Sequence, residues 1–218
     1  LERDVPVLDT ISGDRIRHEL ESIFREEQPE LVINRLAEIG VLARISPRLK
    51  GGGWIAEQYE TARRLKRPTQ LPTLYFCLLI YSLSKEENEQ FLTRLNTPAK
   101  LSRAMRDTLR LKTRLAFLDR SALKPSQVYY LLQDYEPLAI QANAIASDPS
   151  MAQSYLQLFL TKLRYVRTSL NGEELKRLGI SAGPEMGRIL QALHGARLDG
   201  EVRTKAEETK LALSLKSA

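Results

Sequence analysis

One cysteine, two histidines and no long apolar run set the first limits on this 218-residue chain. With Cys77 alone there is no disulfide framework and no thiolate metal cluster, so a reducing, cytoplasmic compartment is expected. His18 and His194 supply neither a metal site nor the base of a hydrolytic nucleophile, and both read as structural. The most hydrophobic stretch, LPTLYFCLLIYSL from Leu71 to Leu83, is shorter than the roughly 20 apolar residues that cross a bilayer. It reads as a central buried helix, and no membrane partner is expected. The glycine triplet Gly51-Gly52-Gly53 follows no strand and lacks the Gly-Lys-Ser/Thr ending of a phosphate loop, which leaves a flexible joint as its reading. No pair of aspartates at one-residue spacing follows a glycine-glycine turn, so the carboxylates of a two-metal nucleotidyl-transfer site are absent. The chain by itself is expected to be catalytically inactive and to hold no metal. It opens Leu1-Glu2-Arg3-Asp4 without a methionine, which reads as an excised piece of something longer.

Alternating apolar and polar runs are lacking too, whereas helical periodicity is nearly continuous, so the class is all-α. Ser12-Gly13-Asp14-Arg15 opens a first helix that should end before Pro29. Pro29 starts a second, and Gly40 is placed to terminate it. Later helices are led by Pro98, Pro125, Pro137 and Pro149, each at a position where a missing amide donor costs least. The pattern predicts an array of antiparallel helical hairpins with a small helical tail subdomain, divided as residues 1–50, 51–170 and 171–218. In the tail, Gly172, Gly179, Gly183 and Gly187 are read as corners, with Gly187 allowing two helices to cross closely.

What the chain has in excess is positive charge, a formal +6 with 33 lysines and arginines. In PAKLSRAMRDTLRLKTRLAFLDR, the cations Lys100, Arg103, Arg106, Arg110 and Arg114 recur every three or four residues and share one arc of a helix. Leu101, Met105, Thr108, Leu109, Leu115 and Ala116 fill the opposite arc. The ladder would extend about 21 Å at 1.5 Å per residue, enough to follow a phosphate backbone. Asp107 is the sole acid nearby, so the stripe reads as unquenched from within the helix, and a solvated face is the alternative. Lys162, Arg164 and Arg167 around Tyr165 form a second cluster, and Arg63, Arg64, Lys66 and Arg67 a third. Contacts of this kind give affinity and salt dependence with little reading of base sequence.

Two segments carry a family resemblance. ISGDRIRHELESIFREEQPELVINRLAEIGVLARISPRL resembles the part of bacterial tRNA nucleotidyltransferases and poly(A) polymerases that follows their nucleotide-selecting motif, with Ser12, Arg15, Ile16, Glu19, Leu20, Pro47 and Leu49 at the patterned positions. LNGEELKRLGISAGPEMGRIL is similar to that family's C-terminal signature through Gly172, Leu175, Leu178, Gly179, Gly183, Pro184, Met186, Gly187 and Leu190, continuing to Leu198-Asp199-Gly200. Glu174 stands where the family usually has aspartate.

The resemblance implies the end of a neck, a body and a tail, without the catalytic head and without the Glu-Asp-x-x-Arg nucleotide template. It implies that Arg15 and Glu19 buttress that template. Body and tail would hold the acceptor stem and T arm of tRNA or a tRNA-like RNA, with Lys176 and Arg188 available in the tail. The parent enzyme would use Mg and ATP, with CTP as an alternative. A helical scaffold or homo-oligomerisation module that binds no RNA is the competing expectation, since it explains the same fold and treats the charge as solubility.

Overall fold

The computed structural model describes residues 10–65, 70–120 and 122–216, and among these residues there are helices and turns but no strand. Fourteen α-helices follow in order: α1 Gly13–Ile23, α2 Pro29–Glu38, α3 Val41–Ile45, α4 Gly53–Arg63, α5 Leu71–Leu79, α6 Lys85–Arg94, α7 Ala99–Lys112, α8 Leu115–Asp119, α9 Pro125–Leu132, α10 Pro137–Ala146, α11 Met151–Thr161, α12 Gly172–Arg177, α13 Pro184–Leu198 and α14 Lys205–Lys216. The all-α class read from the sequence is the observed one. Most of the prolines have the physical role expected of them: Pro29, Pro125 and Pro137 each occupy the first helical residue and Pro98 caps α7, whereas Pro149 lies two residues ahead of α11. Gly40, at φ 78°, closes α2 and caps α3 in the left-handed conformation that glycine adopts without strain.

By contacts the chain forms two units, one of Leu1–Arg120 with Tyr135–Leu156, the other of Ser121–Asp134 with Gln157–Ala218. In the first, the run around Cys77 is the centre as its composition demands: Leu74 to Ile80 are almost wholly buried. Burial pushes the Cys77 thiol up to about 12. Helix α10 returns to pack on both α5 and α7. Asn143 of α10 is fully buried and donates to the carbonyls of Thr108 and Ala139, while its Oδ1 accepts from the Tyr81 hydroxyl. A buried amide satisfied at both ends fixes one register of α10 against α7. The glycine triplet is no loose joint: the Gly52 amide donates to Asn34 Oδ1 at 2.6 Å, tying the loop to α2.

The second unit closes a smaller core of Leu170, Leu175, Ile180, Met186, Ile189, Leu193 and Ala212. Its helix starts are well capped. Asn171 and Glu174 form a reciprocal capping box on α12, and a carboxylate at that third position serves whether it belongs to Glu or Asp. Asp199 accepts from both the amide and the hydroxyl of Ser126 and so caps α9. Gly179 at φ 78° ends α12, and Gly183 at φ 147° precedes Pro184. Gly187 differs from expectation: nothing lies within 4 Å of where its Cβ would stand, so it does not serve a close crossing. The polar segment near the C-terminus hides Glu208, fully buried, whose Oε2 accepts the amides of Ser169 and Leu170.

Candidate nucleic-acid interface

Helix α7 is split as its periodicity demands: Leu101, Met105, Thr108 and Leu109 are buried, while Lys100, Arg103, Arg106 and Arg110 are exposed. The helix stops earlier than the charge pattern implies. Its last residue is Lys112, and Arg114 lies beyond it as the cap of α8, with Leu115 and Ala116 already inside α8. The ladder on one helix therefore runs from Lys100 to Arg110, about 15 Å at 1.5 Å per residue.

Three of its cations have acidic partners, which corrects the expectation of an unquenched stripe. Arg106 grips Glu89 of α6 with two hydrogen bonds, Nε to Oε1 at 2.7 Å and Nη2 to Oε2 at 2.6 Å. This pair holds the Glu89 carboxyl below its usual range and the guanidinium above its own. Arg110 Nη2 lies 3.0 Å from Asp107 and its guanidinium 4.3 Å over the Tyr135 ring. Arg103 is a longer-range neighbour of Asp107 at 3.9 Å and of Glu136 at 3.7 Å. Asp107 is itself buried and accepts the Glu136 amide at the start of α10, so it anchors that helix as well as the arginines.

Asp107 was legible at three- and four-residue spacing from Arg110 and Arg103; Glu89, seventeen residues from Arg106, was not. The pairs do not cancel the charge. A groove of about 670 Å³ lies between Leu83, Ser84 and Asn88 on one side and Leu109 and Thr113 on the other, and its walls carry Lys85, Arg103, Arg106, Arg110 and Lys112 against Glu89 and Asp107. Even with Glu136 counted, cations outnumber carboxylates five to three. Lys112 donates to the Tyr81 carbonyl at 2.6 Å, and partial burial lowers its pKa.

The remaining sequence-selected residues separate by unit. In the first, Arg15 and Glu19 are exposed on α1, flanking the buried Arg17, which bonds Asp14 and Glu21 at 2.9 and 2.8 Å. Of the third cluster, Arg63 is bound by Glu30 through two 2.6 Å hydrogen bonds and Arg64 by Glu60; Lys66 and Arg67 lie outside the described residues. In the second unit, Lys162 and Arg167 are exposed, Arg164 is half-buried with its guanidinium 5.2 Å over the exposed Tyr165 ring, and Arg167 donates to the carbonyls of Arg164 and Val166. Lys176 pairs with Glu173, and Arg188 is exposed on α13. His194 sits edge-on to Tyr129 with Nε2 3.3 Å from the Val166 carbonyl, and His18 is exposed. Among the described residues no group of three or more His, Cys, Asp or Glu side chains is arranged to hold a metal.

A family model described as the probable RNA- and SrmB-binding site of polymerase A matches residues 1–51. The A-adding tRNA nucleotidyltransferase of Geobacter sulfurreducens is 28% identical over 224 residues, covering 95% of this chain. In fold the chain is similar to a CCA-adding enzyme in an apo form, which superposes with a TM-score of 0.74 at 22% identity over 98% of this chain. The Thermotoga maritima CCA-adding enzyme complexed with tRNA gives the same TM-score and identity over the same share. The chain spans 25% of the length of the Geobacter relative and 53–54% of those two solved chains.

Proposed function

We propose that this chain is the RNA-holding portion of a tRNA nucleotidyltransferase or poly(A) polymerase, gripping the acceptor stem and T arm of tRNA by backbone contacts while a catalytic head elsewhere adds nucleotides to the 3′ end. The observation that carries the reading is the exposed cationic face of α7, net positive after its internal pairs are counted. The likeness in fold to a relative complexed with tRNA supports it. Lys100, Arg103, Arg106 and Arg110 are the backbone contacts of the first unit, with Arg114 just past the helix end; Lys162, Arg164 and Arg167, then Lys176 and Arg188, are those of the second. Arg15 and Glu19, held on an α1 that Arg17 stiffens, are the buttress of the nucleotide template. Mg, ATP and CTP belong to the chemistry of the parent enzyme, as ATP and CTP do in solved relatives, and a cytoplasmic setting follows from tRNA as substrate.

The test is binding of a hairpin that mimics the acceptor stem and T arm, followed by fluorescence anisotropy at several salt concentrations. Changing Arg103, Arg106 and Arg110 together to Ala is expected to weaken binding by at least about tenfold and to reduce the salt slope by about two to three. Binding unaffected by the triple change would remove α7 from the interface, and a stable self-assembly indifferent to RNA would favour the scaffold reading.

A further inference from the structure

Trp54, the only tryptophan of the chain, is 43% exposed on the first turn of α4. Its indole stacks on the Tyr81 ring, with centroids 5.8 Å and planes 27° apart, so what it shows to solvent is its other face and its edges. The backing is rigid. Tyr81 is only 8% exposed, and its hydroxyl donates to Oδ1 of the fully buried Asn143. Lys112 Nζ stands 4.6 Å from the centre of the same ring and donates to the Tyr81 carbonyl, and neither partner cancels its charge. The approach to the indole is bare as well. Gly53, immediately before it, is not at positive φ, and nothing among the described residues lies within 4 Å of where its Cβ would stand. Neither torsion nor packing asks for glycine there, whereas a ligand passing close to the backbone does.

One open flat face with a cation one ring away selects its occupant. Tyr81 is too deeply buried to form a second wall, so there is no cleft of rings for a proline-rich strand. On the loop and first turn around the indole, exposed Lys50 offsets exposed Glu57, which leaves Lys112 as the surplus charge and disfavours a cationic ligand. A planar ring joined to a negative charge fits both features. We propose that Trp54 is a stacking platform for an unpaired base of a bound RNA, the base lying on the outer face of the indole and Lys112 favouring the phosphate that accompanies it. The inference deepens the reading of the chain as an RNA-holding portion and rests on it only for the nature of the ligand. It adds a contact to single-stranded RNA that backbone binding by α7 does not supply. Trp54 lies beyond the matched residues 1–51 and outside the three cationic clusters.

Because Trp54 is the only tryptophan, its fluorescence reports on this site alone. The intact chain is titrated with hexaadenylate, with a hexamer of the same backbone that lacks every base, and with a blunt, fully paired RNA duplex. Hexaadenylate is expected to quench the tryptophan emission, and the abasic hexamer and the duplex to leave it unchanged. Trp54→Ala should weaken hexaadenylate binding, followed by anisotropy of the labelled RNA, by at least about fivefold, the value of one stacked base. Trp54→Phe, which keeps a ring, should retain most of the binding. Emission unchanged at saturating hexaadenylate, or changed equally by the abasic hexamer, would overturn the platform on the unaltered protein, whether or not the variants fold. Emission that depends on protein concentration without RNA would assign the indole to a contact with a second copy of the chain and overturn it likewise. The two readings fail separately: duplex binding without quenching by hexaadenylate removes the platform alone, whereas quenching without duplex binding removes the α7 duplex contacts and keeps the platform.

Discussion

Glu89 and Arg106 show how far single residues decide what the α7 face can do. Their two short hydrogen bonds are half-exposed, so the pair contributes little to stability, on the order of 0–1 kcal/mol. It does hold back a cation that an RNA phosphate would otherwise recruit. Glu89→Gln should therefore leave the fold unchanged and raise affinity for the duplex hairpin by about threefold at low salt, since one repelling charge leaves the interface. Equal affinity of variant and parent in side-by-side titrations would mean that Arg106 never meets the phosphate. Asp107 is a different kind of acid: buried and bonded to the start of α10, it serves the fold first.

Helices meet backbone to backbone at one point that composition does not advertise. A Cβ on Gly13, at the start of α1, would lie 1.9 Å from the carbonyl oxygen of Arg94 at the end of α6. That atom belongs to the main chain and cannot swing aside, so Gly13→Ala is expected to destabilise the first unit by about 2–4 kcal/mol, as overpacking against backbone does. Urea denaturation followed by circular dichroism measures it, and an unshifted midpoint would refute the close approach. Of the glycines read from the sequence, Gly40, Gly179 and Gly183 do adopt positive φ, but the close contact falls at Gly13 rather than at Gly187. A turn glycine is visible in its local pattern, whereas a contact glycine depends on a partner eighty residues away.

Across the molecule, several carboxylates are held below their usual range: Asp14 by hydrogen bonds from Asn96 and Arg17, Glu89 by Arg106, Glu174 by Lys205, and Glu207 by the amides of Arg203 and Thr204. At Glu30 burial is the largest influence and pulls upward, and the Arg63 hydrogen bonds, a backbone hydrogen bond and the Arg63 charge together outweigh it. Folded values lie under unfolded ones, so the unfolded chain binds more protons in the acid range and stability there rises with pH. The contribution is complete above about pH 4.5 and is lost as pH falls through the folded values. Thermal midpoints should stay level from about pH 7 to 5 and drop below about 4.5. Glu30→Gln should cost about 3 kcal/mol at neutral pH and make that drop shallower. A decline already under way near pH 6 would contradict this account.

Local chemistry determined the class, the starts and stops of most helices and the buried centre, because proline, capping residues and a 3.6-residue period act within a few positions of themselves. The sequence also carried the resemblance at both ends of the chain, since those motifs are helix caps and corners such as Asn171-Glu174 and Asp199. Tertiary structure alone decided which charges face solvent unpaired. Glu89 reaches Arg106, Glu30 reaches Arg63 and Glu208 disappears into the second unit only when helices distant in sequence pack together. It also left Asn88 Oδ1 buried without a partner. An unpaired acceptor is defined by everything that fails to reach it, and no local pattern records that.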